Sequence, residues 1–402
     1  MASTINASST GAGGLITTGD ASGELALQAN GTTVATVSST GLALATNQTI
    51  STANTYGFKN RLMNGYFNVW QRGTTVTSVG IDTFGTDRWR QWANSGTQTG
   101  ISTWSQSTDV PTGQEFEYSC KIAVTTAQAS FSASQGYAFQ QRIEANNVYD
   151  FAYGTSGAKS VTLSFWAKTT KTGTYTVALT NDGTSSSNVY KQAVSLTSSW
   201  AKYQITIPGD TSLAITSTGT SQGSSVSIML SNGTTSAVTN TWQAYSLGNT
   251  TATGQVNFFD STSNELYITG FQLEVGSQAT SFDFRSIGTE FALCQRYYQQ
   301  RGGNSADERF ASGFTYITTQ GRFIYPTRVV MRSSPTLTVN SGTDFNIEVA
   351  GAAIASTSLS LDQPSPEIIA INCNVASGLT TGQGCQLQAR TSSSRIMFSA
   401  EL

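Results

Sequence analysis

The most informative absence is that of histidine, because the 402-residue chain contains none. Without an imidazole, neither a Ser-His-Asp nor a Cys-His nucleophile can be assembled, and zinc sites that need histidine are excluded. Chemistry based on cysteine, lysine or carboxylates remains open. The sequence therefore excludes most hydrolase mechanisms, and we expect no catalytic residues, no cofactor and no metal site.

Charged residues are scarce, at 11% of the chain. Lys and Arg number 21 and Asp and Glu number 23, which gives a net charge of -2 at pH 7. A protein with this balance has no basic surface that could displace the counterions of DNA or RNA. We therefore expect no nucleic-acid partner.

Long apolar runs are missing as well. No stretch of about 18 apolar residues is present, and residues Met1–Asn6 lack the basic and apolar regions of a signal peptide. We expect a soluble protein that does not insert in a membrane and is not secreted by the conventional route.

Cysteine is rare, and the four residues, Cys120, Cys294, Cys373 and Cys385, are too scattered for a disulfide scaffold in a chain this long. We interpret them as buried thiols. Cys373 and Cys385 could bridge a hairpin, and the sequence leaves open whether they do.

The residues that are abundant predict an all-β fold. Ser, Thr, Gly and Asn dominate, while 38% of the chain is apolar and 10% is aromatic. Thr, Val, Tyr and Phe suit a pleated strand, and Gly and Asn suit the positive-φ positions of hairpin turns. A chain with this much apolar content is not expected to be disordered.

Residues 1–56 contain no Trp or Phe and cannot build a core alone. Two short apolar strands flank Asn30-Gly31, the dipeptide that best fits a two-residue hairpin. Small strands without a core become stable when identical copies share an axis or when they dock on a partner. We therefore predict an oligomeric anchor segment whose key apolar residues are Leu25, Leu27, Val34 and Val37.

Three further segments follow. Residues 57–285 carry strands with a period of two, separated by Gly, Asn, Ser and Asp clusters, and this pattern predicts a jelly-roll sandwich. Residues 286–300 predict one linking helix, with Ser286 as its cap and an apolar stripe from Phe291 to Tyr298. Residues 301–402 return to short strands and predict a smaller C-terminal β domain.

Several motifs, taken in order, resemble those of bacteriophage tail fibre and related virion fibre proteins. Residues Leu25–Val34 resemble the attachment regions of fibres. The remaining motifs span most of the chain and resemble the opening and end of a sandwich domain, the helix after it and the C-terminal domain: Asn60–Gly73, Thr86–Trp89, Phe271–Gly276, Phe282–Arg285, Glu290–Tyr298 and Pro326–Pro335.

This resemblance implies a homotrimer in the virion, assembled in the host cytoplasm, whose N-terminus attaches to structural proteins of the particle. It also implies a distal β domain that meets a glycan or protein of the bacterial surface. A capsid head fibre or decoration protein is the first alternative. A polysaccharide depolymerase with two carboxylates is the second, and its candidate pairs come from Asp82, Asp87, Asp109, Glu115 and Glu117.

Tryptophan gives the candidate ligand-binding residues, because aromatic faces stack on the apolar faces of sugars. Trp166 alternates away from the apolar residues of its strand, and Trp92 and Trp104 lie in weakly patterned polar stretches. We expect Trp92, Trp104 and Trp166 to contact a glycan or another subunit. Asp182, Asp210 and Asp260 lie in loops where calcium could bind, although turn carboxylates usually bond their own backbone.

Overall fold

We analysed a computed structural model that describes residues 3–7, 15–18, 22–29, 31–39, 41–45, 59–94, 97–183, 185–238 and 240–402. The chain divides into two compact units, Met1–Phe58 and Lys59–Leu402. Within the described ranges, no helix has the length and apolar character that a membrane span requires.

The first unit contains a five-stranded sheet with the order β2-β1-β3-β4-β5. Among the strands that the structure describes here, β1 and β3 pair in parallel and the other pairs are antiparallel. The predicted hairpin of β3 and β4 is confirmed. Gly31 in its turn has a φ of 78°, and Asn30 lies outside the described residues. The strands are β1 Ser3–Ala7, β2 Leu15–Thr18, β3 Leu25–Ala29, β4 Thr32–Ser38 and β5 Gly41–Leu44.

The register of this hairpin collects its apolar side chains on one face. Directly paired residues share a face of a sheet, and the pairs form two rows, Leu25-Val37-Leu42 and Leu27-Ala35-Leu44. Val34 falls at the bulge in β4. Val37 is 38% exposed and Leu42 is 56% exposed, so the described residues of this unit leave much of the apolar face uncovered.

The second unit begins with two antiparallel sheets that together hold thirteen strands. The six-stranded sheet has the order β15-β12-β18-β10-β9-β6, and the seven-stranded sheet has the order β17-β14-β13-β16-β11-β8-β7. The strands are β6 Thr75–Val79, β7 Thr83–Thr86, β8 Trp89–Ala93, β9 Ile101–Ser107, β10 Ser119–Thr126, β11 Gly136–Glu144, β12 Val161–Thr169, β13 Gly173–Asp182, β14 Ser187–Leu196, β15 Ala201–Ile207, β16 Gln222–Asn232, β17 Gln243–Ala244 and β18 Glu265–Val275.

A stack of aromatic rings joins the two sheets. Trp89 lies flat against Phe139 in the seven-stranded sheet, with ring centroids 4.4 Å apart, and Phe165 lies flat against Phe271 in the six-stranded sheet at 4.7 Å. The ring of Trp89 reaches across to Phe271 at 4.9 Å. All four side chains are fully buried. The predicted jelly-roll sandwich is therefore confirmed.

One α-helix, α1 Ile287–Gln295, follows the sandwich in the described chain. The predicted cap is present, because the Oγ of Ser286 accepts a hydrogen bond from the backbone N–H of Thr289. Glu290 in the first turn pairs with Arg285 at 3.2 Å. The helix ends before residue 300 because Tyr298 already begins a strand.

The C-terminal part forms a closed six-stranded barrel, β20-β21-β25-β24-β23-β26, beside a three-stranded sheet, β19-β27-β22. Phe323, Phe345, Ile371 and Leu387 fill the barrel core. The predicted smaller β domain is thus confirmed. Its strands are β19 Tyr298–Gly302, β20 Arg309–Ile317, β21 Gln320–Pro326, β22 Thr336–Val339, β23 Phe345–Val349, β24 Ala352–Pro364, β25 Ile368–Val375, β26 Gly384–Ala389 and β27 Arg395–Ser399.

Buried ion pairs connect the sandwich with the C-terminal strands. The guanidinium of Arg88 lies 3.4 Å from the ring centroid of Tyr297 and pairs with Glu401. Arg72 also pairs with Glu401, at 3.1 Å, and lies 3.7 Å from the ring of Tyr298. These contacts show that the arginines of the sequence motif hold the fold together, because their charged groups are taken up by protein partners.

Gly85 provides a direct test of the sandwich core. A Cβ at this position would lie 2.1 Å from the ring of Trp104, so Gly85→Ala must displace a fully buried side chain. We expect it to lower the free energy of unfolding by about 1–3 kcal/mol, measured by urea denaturation. Gly288→Ala is the control, because the added Cβ has no atom within 4 Å and alanine favours the helix more than glycine does. Equal effects of the two changes would contradict the packing.

Candidate functional site

The solvent face of the six-stranded sheet is set by the pleat of β12. Leu163 and Phe165 point into the core and are fully buried, so Ser164, Trp166 and Lys168 lie on the opposite side. Trp166 pairs with Lys202 on β15 and with Thr269 on β18. The sequence prediction that Trp166 faces away from the core is therefore confirmed.

A pocket of about 390 Å³ lies beside Trp166. Its lining combines aromatic rings with groups that form hydrogen bonds: Trp166, Phe116, Phe282, Ser164, Lys202 and Glu115. Gly270, where β18 bulges, has a φ of 66°, and a Cβ there would lie 2.6 Å from the ring of Phe116. The glycine therefore allows Phe116 to pack against the strand at the edge of the pocket.

Three phenylalanines build one wall of this pocket. The ring centroids of Phe116 and Phe282 lie 5.3 Å apart, and those of Phe282 and Phe284 lie 4.9 Å apart. Tyr66, from the Asn60–Gly73 motif, supports Phe282 at 5.8 Å. Phe284 is 40% exposed. The segment after β18 thus supplies an aromatic surface that a ligand in the pocket would meet.

Two more aromatic side chains extend the same solvent face. Trp200 and Tyr267 are half-buried, with ring centroids 6.4 Å apart. Between them, the Nζ of Lys168 lies 4.8 Å from the centroid of Tyr267 and 5.4 Å from that of Trp200. Lys168 is two residues from Trp166 on β12. We call the surface formed by Trp166, Trp200 and Tyr267 the aromatic face.

Carboxylates hold the side chains of the aromatic face in position. Asp109 accepts hydrogen bonds from Lys168 at 2.5 Å and from the indole N–H of Trp200 at 3.0 Å. Glu265 accepts one from the hydroxyl of Tyr267 at 2.9 Å. Partial burial alone would raise the pKa of Asp109, but these two hydrogen bonds hold that pKa below its ordinary value.

The aromatic face with its pocket can bind a ligand that has both apolar and hydroxyl-bearing surfaces. Ring faces offer stacking surface, and the neighbouring ammonium, hydroxyl and carboxylate groups donate and accept hydrogen bonds. The paired charges give the surface a mixed, nearly balanced character. Such a surface suits a sugar better than a strongly charged or a purely apolar ligand.

The structure separates the three tryptophans that the sequence predicted. Trp166 lies at the pocket, whereas Trp92 lies on the seven-stranded sheet. Trp104 is fully buried, and its indole N–H donates to the hydroxyl of Ser102 at 2.9 Å. The prediction that Trp104 contacts a ligand is therefore wrong, because its ring is part of the sandwich core.

Trp200, Tyr267 and Phe282 were not predicted from the sequence. The alternation of Tyr267 with the core residues Leu266 and Ile268 was a usable signal for its outward direction. Trp200 and Phe282 precede or follow regular strands, so no periodicity marks them. Only the fold brings them to one surface.

The loop aspartates have protein partners in the structure. Asp182 accepts hydrogen bonds from Thr180 and Gln222, Asp210 from Asn181, Asn188 and Ser212, and Asp260 from Lys171 and Asn264. Among the described residues, no three His, Cys, Asp or Glu side chains are grouped as metal ligands. These contacts favour turn stabilisation over calcium binding.

The carboxylates considered for a depolymerase are placed as follows. Asp87 is fully buried, and burial raises its pKa to about 6 although Arg72 and Gln71 lower it. Asp82 pairs with Arg90, and Asp109 pairs with Lys168. Glu115 borders the pocket, and Glu117 is exposed. The buried Asp87 cannot reach a polysaccharide in this fold.

Comparison with known proteins gives structural neighbours alone, since no family model and no curated protein matches the chain. One neighbour is the enzymatically active domain of tailspike protein 4 of bacteriophage CBA120, with 13% identity and a TM-score of 0.28. The match covers 54% of this chain and 21% of that chain, so this chain spans about a fifth of the tailspike domain.

Two further neighbours are carbohydrate-binding domains of bacteria. The family 11 carbohydrate-binding module of Clostridium thermocellum has 10% identity and a TM-score of 0.26, over 51% of this chain and 98% of that one. The N-terminal cellulose-binding domain of Cellulomonas fimi β-1,4-glucanase C has 10% identity and a TM-score of 0.26, over 52% of this chain and 97% of that one. At these values the likeness does not extend to individual residues or ligands.

The contact between Lys168 and Asp109 predicts a pKa change that NMR can measure. Lys168→Met removes the ammonium that stabilises the carboxylate, so we expect the pKa of Asp109 to rise. In the unchanged protein, the stability from this pair is lost as the pH falls through the pKa of Asp109. A carboxyl ¹³C titration measures the shift, and the exposed Lys159→Met is the control. No change in Lys168→Met would contradict the pairing.

Proposed function

We propose that this chain is a structural protein of a bacteriophage particle, a tail fibre that attaches the particle to glycans of the bacterial surface. The observation that carries this proposal is the aromatic face with its pocket on the solvent side of the sandwich. The order of motifs from Asn60–Gly73 to Pro326–Pro335, which resembles virion fibre proteins, supports the particle as the place of action.

Sugar is the ligand class that the aromatic face fits best. A pyranose has an apolar face of C–H groups and a rim of hydroxyls, so it needs ring stacking and hydrogen bonds together. Trp166 supplies the ring, and Ser164, Lys202 and Glu115 supply hydrogen-bonding groups at the same pocket. Most ligand sites combine a mainly apolar lining with a few placed polar groups in this way.

We also propose that the first unit assembles three copies of the chain and attaches them to the particle. A lone sheet with one apolar face is not stable without a second layer. Leu25, Leu27 and Val37 lie on that face, and the first Lys or Arg of the chain is Lys59. Because the segment carries no positive charge and only Asp20 and Glu24 as negative charges, identical copies meet with little repulsion.

The alternatives differ from this proposal in location or in chemistry. A capsid head fibre or decoration protein would use the same sandwich but attach to a different protein of the particle. A depolymerase is less favoured, because Asp87 is buried and Asp82 and Asp109 are engaged in ion pairs. We therefore propose binding without cleavage.

Binding through the aromatic face is tested with purified surface polysaccharide of the host bacterium. We expect Trp166→Ala to lower the affinity at least about tenfold, because it removes the stacking ring beside the pocket. Trp166→Phe should retain part of the binding. Tyr149→Ala is the matched control, since this ring is 74% exposed and does not line the pocket. Equal binding by a folded Trp166→Ala protein would contradict the proposal, as would shortened chains after incubation.

Assembly through the first unit is tested by light scattering. We expect three times the mass of one chain for the unchanged protein. Leu27→Asp should give a smaller mass, because a charge on the apolar face is buried on assembly. Thr32→Asp is the control, since Thr32 is exposed at the hairpin end. A monomeric mass for the folded, unchanged chain would contradict the proposal.

A further inference from the structure

The outer face of the seven-stranded sheet, which points away from the core, carries two arginines on neighbouring strands; Arg90 is buried there and Arg142 is half-buried. Arg90 on β8 is paired with Gln140 on β11, and Trp92 is paired with Ala138. Arg142 is two residues beyond Gln140 and therefore lies on the same side. The residues between them on β11, Phe139 and Gln141, point the other way. This surface is on the opposite side of the sandwich from the aromatic face.

Arg90 has protein partners for its charge and its N–H groups. Its Nε and Nη2 donate to the side-chain oxygen of Gln140, at 3.0 and 2.7 Å. Its Nη1 lies 3.3 Å from a carboxylate oxygen of Asp82, and the side chain of Asp82 is 48% exposed. Arg90 is thus fixed in one orientation by the sheet itself.

Arg142 differs because its charge is not taken up by the protein. Its Nε is buried and has no hydrogen-bond partner, and its guanidinium makes no ion pair with any described residue. Burial lowers the pKa of both Arg142 and Arg90, and the charge of Arg142 lowers the pKa of Arg90 further. A buried donor without a partner is destabilising, and more so when it is charged. A bound anion would supply the acceptor that this donor lacks.

The nearby carboxylates do not form an ion pair with Arg142. Asp182 accepts hydrogen bonds from Thr180 at 2.8 Å and from Gln222 at 2.7 Å. Asp82 is already paired with Arg90. Both influence the pKa of Arg142 through their charges, but neither lies within ion-pair distance of it. The guanidinium therefore stays available.

Two aromatic side chains accompany the arginines. Trp92 is half-buried on β8, and Tyr245, just after β17, is 41% exposed. Burial and the charge of Asp182 raise the pKa of Tyr245, while the charges of Arg142 and Arg90 act in the opposite direction. Ser225 and Ser227 on β16 are the small neighbours of Arg142 and Gln140 in the sheet, so they do not crowd the space above it.

We infer that Arg142 binds the carboxylate of an acidic sugar, a uronic acid residue of a bacterial polysaccharide, while the buried Arg90 stays paired with Gln140 and Asp82. A guanidinium presents a planar fork of N–H groups that matches a carboxylate in two parallel hydrogen bonds. Trp92 and Tyr245 offer ring surface for the pyranose that carries the acid. This inference rests on the proposed glycan binding and adds a second site with a defined ligand class.

The site is tested by NMR on the full chain, through the Nε–H resonance of Arg142. Galacturonate and glucuronate are titrated, with galactose and glucose as neutral sugars of the same ring and inorganic phosphate as an anion without a ring. We expect both uronates to shift this resonance and the neutral sugars to leave it in place. We expect phosphate to bind at least several-fold more weakly, since it cannot use the aromatic rings.

Variants then assign the binding to the guanidinium. Arg142→Gln should weaken uronate binding at least about tenfold and should not lower the melting temperature, because Arg142 has no partner to lose. Arg142→Lys keeps the positive charge but lacks the planar pair of N–H donors. It should bind uronate with intermediate affinity. Arg309→Gln is the control for net charge, since Arg309 is exposed on the barrel and pairs with Glu348.

The outcomes separate this inference from the proposed function. The second site is supported if Arg142→Gln abolishes uronate binding and Trp166→Ala leaves it intact. This result does not depend on whether the aromatic face binds a glycan. No uronate-dependent shift at Arg142, or equal binding of phosphate and uronate, overturns the inference. Loss of neutral polysaccharide binding in Trp166→Ala tests only the aromatic face.

Discussion

The aromatic stack between the two sheets is the interaction on which the rest of the sandwich depends. Trp89 and Phe139 from one sheet meet Phe271 and Phe165 from the other, all fully buried. Because side chains alternate along a strand, each buried ring forces its neighbours to the outside. Phe165 in the core places Trp166 on one outer face, and Phe139 places Gln140 on the other. The same packing therefore positions both candidate sites.

The two faces of the sandwich have different chemistry although the chain has little charge. On the aromatic face, Lys168 and Asp109 neutralise each other beside the rings of Trp200 and Tyr267. On the opposite face, a positive charge remains at Arg142. A sandwich with an aromatic face on one side and the unpaired Arg142 on the other can hold two kinds of sugar residue. This arrangement suits the proposed attachment to heteropolysaccharides that contain both.

Sequence patterns predicted the features that depend on local periodicity and missed those that depend on contacts between distant parts of the chain. The hairpin around Gly31 and the outward direction of Trp166 follow from turn chemistry and from a period of two. Trp104 misled the prediction because its neighbours Thr103 and Ser105 are polar, so its strand gives no apolar pattern. Its burial arises from packing under Gly85 and against Phe139. The sequence likewise gives no signal that Arg142 is unpaired, because this depends on the side chains that neighbouring strands place around it.

The most direct test of the proposed function is to locate the chain on phage particles. Under the proposed function a phage encodes the chain, and its purified particles can be imaged by electron microscopy with an antibody against residues 57–285. We predict label on the tail or its fibres, in positions that contact the host surface. Label spread over the capsid would contradict the tail fibre assignment, and unlabelled particles would contradict a virion role altogether.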